Sequence, residues 1–267
     1  MLSESQIDQY HEDGFLVPGF RLGERILDDI KSAHTRLIER HPEYVDYCPA
    51  ILPLDPGFTR FACNDEILDM VAQLIGEDFA LWNSSFFAKP ARVGSTTPWH
   101  QDGEYWPMRP LATCTVWIAV DDSTTANGCL RVIRGSHKDK RVRKHVTNDA
   151  PGLALHEELP ASEVNQEEAV DLILEAGQIS LHDVFLVHGS EPNRSADSRR
   201  GMTLRFMPTS SHYDRDIELE QNRKLGLDSG LRRPLYLMRG IDLCGRNDFE
   251  NETRPTEVSQ VSMPPIE

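Results

Sequence analysis

The sequence lacks any apolar run long enough to cross a bilayer, and its start, Met1-Leu2-Ser3-Glu4-Ser5, is acidic and polar rather than a basic lead into an apolar segment. Neither a spanning helix nor a secretory signal is expected. Basic charge is also short: 28 Lys and Arg stand against 43 Asp and Glu, for a net charge of −15. That balance argues against a nucleic-acid groove and against an anionic membrane surface, while leaving room for a local basic pocket around an anionic ligand. The five cysteines (Cys48, Cys63, Cys114, Cys129 and Cys244) are odd in number and contain no C-x-x-C pair. They fit reduced thiols in a cytoplasmic protein better than a disulfide framework or a zinc site, and the sequons at Asn83, Asn193 and Asn251 are then expected to be idle. Repeats, low-complexity tracts and linker-like stretches are missing too. The 267 residues read as one domain, long enough for a sizeable core.

What is present divides into a helical front and a β-rich remainder. Ser3 with Gln6 has the spacing of a capping box, and Gly14 can end the helix it opens. Residues 23–40 place Ile26, Leu27, Ile30, Ala33 and Leu37 at helical spacing, and Pro42 bars continuation. Asn64 or Asp65 caps a third helix with Ile67, Leu68, Val71, Leu74 and Ile75 on one face. Residues 1–78 thus read as mostly helical support. From about residue 79 the period changes. Strands are expected at Phe79–Trp82, Phe86–Lys89, Cys114–Val120, Leu130–Ile133, Val170–Leu174, Ile179–Val187 and Met202–Met207, separated by Gly- and Asn-containing turns. Many short strands after helices predict a mainly β protein with flanking α-helices, its β core closed or sandwiched. The core spans 79–208, a polar insertion at about 138–168 is expected over its mouth, and 209–267 form a C-terminal extension.

The chemistry centres on Trp99-His100-Gln101-Asp102-Gly103. An imidazole and a carboxylate two residues apart face the same way on an extended backbone, and with one more histidine they make the 2-His-1-carboxylate face that holds non-haem Fe(II). The spacing alone is weak, because His11/Asp13, His137/Asp139 and His212/Asp214 share it. His11/Asp13 lies in a helical pattern, where residues i and i+2 sit about 200° apart. His137/Asp139 lies in a basic turn expected to be solvated. His100/Asp102 stands beside the strongest apolar strand and ahead of a second histidine in a strand-like context.

Trp99-His-Gln-Asp102, Tyr105-Trp106-Pro107, Thr115-Val-Trp-Ile-Ala-Val-Asp-Asp122, Asn127-Gly-Cys-Leu130 and Gly135-Ser-His137 resemble the phytanoyl-CoA dioxygenase family. Ser180-Leu-His182, His188-Gly-Ser190, Pro192-Asn193, Ser195 and Arg199 continue the resemblance in order, with Arg134 standing where the family usually has proline. The resemblance implies a double-stranded β-helix (jelly-roll, cupin-like) core and an Fe(II)- and 2-oxoglutarate-dependent dioxygenase. His100, Asp102 and His188 would be the iron ligands. The sequence agrees on His188, which follows the apolar run Val184–Val187 and precedes a turn. His182, six residues earlier, would lie roughly 20 Å from it on one regular strand, and so reads as structural or outer-shell.

The distal carboxylate of 2-oxoglutarate calls for an arginine fork, with Arg199, Arg200 and Arg205 as candidates. The family places this arginine eleven residues after the distal histidine, at Arg199, and Ser190 resembles its hydroxyl donor to the same carboxylate. Parity supports Arg199: it shares a face with Gly201, Thr203 and Arg205, and Gly201 leaves room for a ligand. The implied reaction consumes O2 and 2-oxoglutarate, releases succinate and CO2, and hydroxylates or otherwise oxidises an unactivated C–H bond. The expected substrate is a small-molecule metabolite or natural-product intermediate. Glu104, Tyr105, Trp106, Met108, Arg109, Trp117 and Arg131 are candidate pocket residues, against a simple packing role for the aromatics. The basic run Lys138, Lys140, Arg141, Arg143 and Lys144 reads as a solvated turn rather than a coenzyme-A site. Two alternatives stay open: a cupin-like metalloenzyme that does not use 2-oxoglutarate, and a non-catalytic metal-binding β-barrel. Monomer and homodimer are equally compatible with the sequence.

Overall fold

The protein is described from a computed structural model, which covers residues 1–104, 106–224 and 232–251. Along the chain run α1 (Glu4–Asp13), β1 (Phe15–Leu16), α2 (Glu24–Arg40), β2 (Tyr47–Cys48), α3 (Asp65–Ile75), β3 (Phe79–Lys89) and β4 (Thr97–His100). Then come β5 (Met108–Arg109), β6 (Cys114–Ala119), β7 (Leu130–Ile133), β8 (Val146–Thr147), β9 (Glu157–Glu158) and β10 (Ala169–Leu172). The remainder is β11 (Ile179–Asp183), β12 (His188–Ser190), β13 (Arg199–Pro208), β14 (His212–Tyr213), α4 (Arg215–Lys224) and β15 (Tyr236–Arg239).

The three front helices form as their caps and apolar spacing predict. Ser3 and Gln6 exchange the two bonds of a capping box, and Asn64 accepts from Ile67 N–H to start α3. α2 buries Leu27, Ile30, Ala33, His34 and Leu37, and α3 buries Ile67, Leu68, Met70, Val71 and Ala72. Both apolar faces pack in one cluster with Val116, Ile118, Met202, Leu204 and Phe206, the outward residues of β6 and β13. Helices therefore cover one face of a seven-stranded sheet ordered β1-β11-β6-β13-β3-β15, with β2 pairing to β3.

Strand alternation then turns Thr115, Trp117, Thr203 and Arg205 toward the opposite face. A second antiparallel sheet, ordered β10-β7-β12-β4, completes a jelly-roll core. The C-terminal stretch contributes to it, since β15 pairs with β3.

Two strand boundaries differ from the sequence reading. Phe79–Trp82 and Phe86–Lys89 are one continuous strand, because the polar Asn83-Ser84-Ser85 between them is buried and its serines are satisfied across the strand pair: Ser84 Oγ donates to Thr203 O (2.8 Å) and Ser85 Oγ meets Thr203 Oγ1 (2.6 Å). The expected strand Ile179–Val187 stops at Asp183. Its carboxylate accepts from Phe185 N–H (2.9 Å), an Asx-type turn, and pairing resumes only at His188.

The 138–168 segment is largely irregular but firmly attached. Thr96 N–H donates to Gly152 O and Leu159 N–H to Trp99 O, while Leu159 and Val164 pack against Ile133 and Val187. Four of its basic side chains are paired, Lys138 with Glu12, Lys140 with Asp183, and Arg141 and Arg143 with Glu163. His137 is not solvated as expected. Its ring is buried against Gly14, whose φ of +83° ends α1, and Nε2 donates to the His11 backbone oxygen at 3.0 Å. That oxygen can only accept, so Nε2 carries the proton.

Gly201 does not leave room for a ligand: the Trp117 indole fills the place of its side chain, and a Cβ would sit 2.2 Å from Trp117 Cζ2. Gly201→Ala is therefore expected to cost about 1–3 kcal/mol, read from urea denaturation. A second expectation concerns pH. Burial, and then the nearby Arg200 charge, lower the His34 pKa from 6.5 to about 4, with the ring 4.4 Å from that of Phe86. Above pH 6.5 the group is neutral in both folded and unfolded chains; as pH falls toward 4, the unfolded chain gains a proton that the folded one refuses. Stability should drop over that window, and His34→Leu should flatten the drop by up to about 3 kcal/mol in denaturant titrations at each pH.

Candidate metal centre

β12 pairs with β4 so that His188 lies directly opposite His100, and His188 also sits opposite Val132 of β7. The two imidazole centroids are 4.1 Å apart. His100 is the last residue of β4, and Asp102 opens a 3-10 turn (Asp102–Glu104) rather than continuing the strand, contrary to the extended geometry read from H-x-D. The turn still brings Asp102 Oδ1 to 3.7 Å from His100 Nε2. Ligand atoms of His100, Asp102 and His188 all lie within 4.8 Å of one another, and all three residues are buried. His188 begins β12 instead of ending an apolar strand.

Both rings are oriented by the carbonyl two residues earlier. Nδ1 of His100 lies 2.8 Å from Pro98 O, and Nδ1 of His188 lies 2.9 Å from Leu186 O. Carbonyl oxygens only accept, so each Nδ1 carries the proton and each Nε2 keeps its lone pair for a metal. Burial, and then the neighbouring His188, hold the His100 pKa well below 6.5, which keeps the ring neutral. Two imidazoles and a carboxylate are the donor set of non-haem Fe(II) sites. The residues present therefore fit that ion.

Gln101, between the two candidate ligands, is fully buried and locks the surrounding loops. Its Nε2 donates to Phe185 O (2.7 Å) and Arg141 O (3.2 Å), and its Oε1 accepts from Arg143 N–H (2.8 Å). His145 Nε2 accepts from Gln101 N–H at 2.9 Å. The insertion and the turn before His188 are thereby tied to the H-x-D segment.

The triad opens on a cavity whose wall also contains Ser190, Arg199, Thr203, Arg205, His182 and Trp117. Arg199, at the start of β13, is buried and donates to Phe87 O (3.0 Å) and Gly128 O (2.7 Å). Burial lowers its pKa to about 10, so it stays charged at neutral pH. Arg200 points the other way and grips Asp121 in a bidentate pair (2.7 and 2.8 Å). All five residues singled out as ligands or carboxylate partners in the sequence line one space.

His182 corrects the sequence reading most. The chain turns at Asp183, so β11 belongs to the large sheet and β12 to the small one, and the two histidines face each other across the core. Their centroids are 5.2 Å apart rather than roughly 20 Å, and His182 Nε2 is 3.9 Å from Asp102 Oδ2. Burial, then the adjacent His188, lower its pKa to about 3. The Asx-type turn at Asp183 was the available signal.

Of the other candidate pocket residues, Trp117 lines the cavity, whereas Trp106 and Met108 pack with Trp82 and Tyr213. Arg131 lies outside, paired with Asp171 and Glu191, and Arg109 bonds to the backbone of Trp106 and Met108. Tyr105 lies outside the described residues.

Residues 10–201 match the family model for phytanoyl-CoA dioxygenase (PhyH). The chain belongs to that family. It is 34% identical over 160 residues to a Dictyostelium discoideum protein named phytanoyl-CoA dioxygenase domain-containing protein 1 homolog, covering 59% of this chain and 57% of that one. A Stutzerimonas stutzeri relative named "Probable alpha-ketoglutarate-dependent hypophosphite dioxygenase" is 32% identical over 208 residues, covering 73% and 71%. Among solved structures, the non-heme monooxygenase ThoJ superposes with a TM-score of 0.72 at 26% identity, covering 94% of this chain and 88% of that one. The chain spans little more than half the length of the relatives it matches first, 57% and 54% for the Dictyostelium and Arabidopsis thaliana proteins. Among the described residues no helix is long and apolar enough to cross a membrane.

A divalent ion held by three buried side chains stabilises the folded state by mass action, about 3 kcal/mol at a hundredfold excess over Kd. Thermal denaturation should accordingly shift upward with anaerobic Fe(II) and return on chelation, and Asp102→Ala should remove the shift.

Proposed function

We propose that this PhyH-family protein is an Fe(II)- and 2-oxoglutarate-dependent dioxygenase that oxidises an unactivated C–H bond of a small-molecule metabolite or natural-product intermediate, releasing succinate and CO2. The observation that carries the reading is the convergence of His100, Asp102 and His188 within 4.8 Å on a cavity that also contains a buried arginine, Arg199. His100, Asp102 and His188 would hold the iron. Arg199 would receive the distal carboxylate of 2-oxoglutarate, with the Ser190 hydroxyl as a second donor.

When bound, the iron and 2-oxoglutarate together activate O2 and supply the oxidising power. The protein's own part is binding, orientation and exclusion of water. The Pro98 and Leu186 carbonyls fix both imidazoles in the tautomer that presents Nε2. Gln101 holds the loops around them. Asp102 supplies the carboxylate ligand, and with it in place hydroxylation, desaturation or ring closure are the outcomes the donor set favours.

The names of relatives point to two substrate types, a coenzyme-A thioester and hypophosphite. The basic run at 138–144 gives little support to the thioester, because Lys138, Lys140, Arg141 and Arg143 are each paired with an acid.

Succinate release from 2-oxoglutarate tests the reading. His100→Ala, Asp102→Ala and His188→Ala should each abolish it, whereas His137→Ala and His212→Ala should retain it. Arg199→Ala should raise KM for 2-oxoglutarate by about 10²-fold, the loss of a buried charge-assisted fork. Unchanged turnover in Arg199→Ala would favour a metalloenzyme that works without 2-oxoglutarate.

A further inference from the structure

The cavity holds a second arginine that this reading does not use. Arg205 lies on the same face of β13 as Arg199, six residues on, or roughly 20 Å along the strand at ~3.3 Å per residue. Its side chain is buried at 5% exposure and lines the same cavity. The guanidinium lies over the Trp106 ring, 4.9 Å from its centroid, which fixes its plane without using its N–H groups. Its Nε has no hydrogen-bond partner among the described residues, and the nearest acid, Asp102 Oδ1, stands 3.9 Å from its terminal nitrogen. That is beyond hydrogen-bond distance. Arg199, by contrast, already donates to two backbone carbonyls, and Arg200 is fully paired with Asp121.

A buried cation this poorly partnered costs stability unless a ligand completes it. Apart from histidines, the charged side chains on the cavity wall are Asp102, Arg199 and Arg205. A divalent metal and a dianionic cosubstrate cancel one another, and Asp102 cancels one arginine. One positive charge is left over. The function proposed above assigns the cosubstrate's distal carboxylate to Arg199 and its other end to the metal, which leaves Arg205 for a second anion.

We propose that Arg205 is a substrate-recognition residue and that the prime substrate is a small organic anion whose oxyanion group, carboxylate or phosphonate in type, docks on its guanidinium beside the metal centre. This rests on the function proposed above. It narrows the substrate class from small molecules in general to anions, and places the carbon to be oxidised a short distance from the charged group.

The test uses the wild-type enzyme loaded anaerobically with Fe(II) and 2-oxoglutarate, titrated by calorimetry with matched probes. Butyrate and propylphosphonate supply the anions; butyramide and diethyl propylphosphonate are their neutral counterparts. Saturable binding of an anionic probe at millimolar concentrations, with none by its neutral counterpart, is expected. Arg205→Gln should weaken that binding by about 10- to 100-fold, with Arg205→Lys in between, as for loss of a charge-assisted contact. Preference between the two anions identifies the oxyanion type.

Equal binding of charged and neutral probes, no binding of either anion, or unchanged anion binding in Arg205→Gln overturns the proposal. So does a variant that loses 2-oxoglutarate but keeps the probe, which would make Arg205 a cosubstrate residue. Wild-type succinate release, measured separately, divides the two failures. Without it the functional reading falls and takes this one along; with it, charge-blind binding sinks this one alone.

Discussion

The pairing of two very short strands, His188–Ser190 against Thr97–His100, is the constraint on which the site depends. Cross-strand pairing sets His188 directly opposite His100. Three residues of strand would be marginal alone. They are held because β12 is interior to its sheet, flanked by β7 and β4, and because the insertion bonds to the outer edge of β4 through Thr96 and Trp99. Gln101 then ties that insertion to the turn leading into His188. The Gln101 side chain uses both its donors and its acceptor here, which makes this segment rigid rather than merely buried.

The division of labour between the two sheets follows from strand parity. β6 and β13 give one set of residues, Val116, Ile118, Met202, Leu204 and Phe206, to the helices, and the alternate set to the cavity. The helices therefore stabilise the large sheet from outside without touching the chemistry. A polar residue on the inner face would be an error in an ordinary sandwich. Here Thr203, Arg199 and Arg205 share that face with Trp117, which fills the space over Gly201 and so forms one wall.

Much of this was legible from sequence. Capping residues and apolar spacing located three helices, because those signals are local. The candidate ligands His100, Asp102 and His188, which the structure brings within 4.8 Å of one another, were singled out through their order along the chain and their likeness to the PhyH family. What stayed hidden depended on tertiary context. The buried Asn83-Ser84-Ser85 reads as a break until Thr203 is seen to satisfy its serines across the strand pair. Val184–Val187 reads as strand because its residues are buried apolar, yet they fill the core from a turn fixed by one side-chain acceptor on Asp183. His182 was misplaced for the same reason: distance along a supposed strand has no meaning once the chain changes sheets.

That change of sheet also gives the cavity its asymmetry. The small sheet contributes His100, His188 and Ser190, short residues that present donor atoms at close range. Facing them, the large sheet contributes long or bulky ones, Arg199, Arg205, Trp117 and His182, whose side chains reach across the interior. A metal on the small-sheet side would thereby be opposed by cations on the other, and the space between would suit the multiply anionic ligands proposed above. An acidic chain with a net charge of −15 concentrates two of its arginines there, away from solvent and from its surface acids. Such a placement opposes the general rule that charges stay hydrated, and burying them is tolerable only where anions complete the interior.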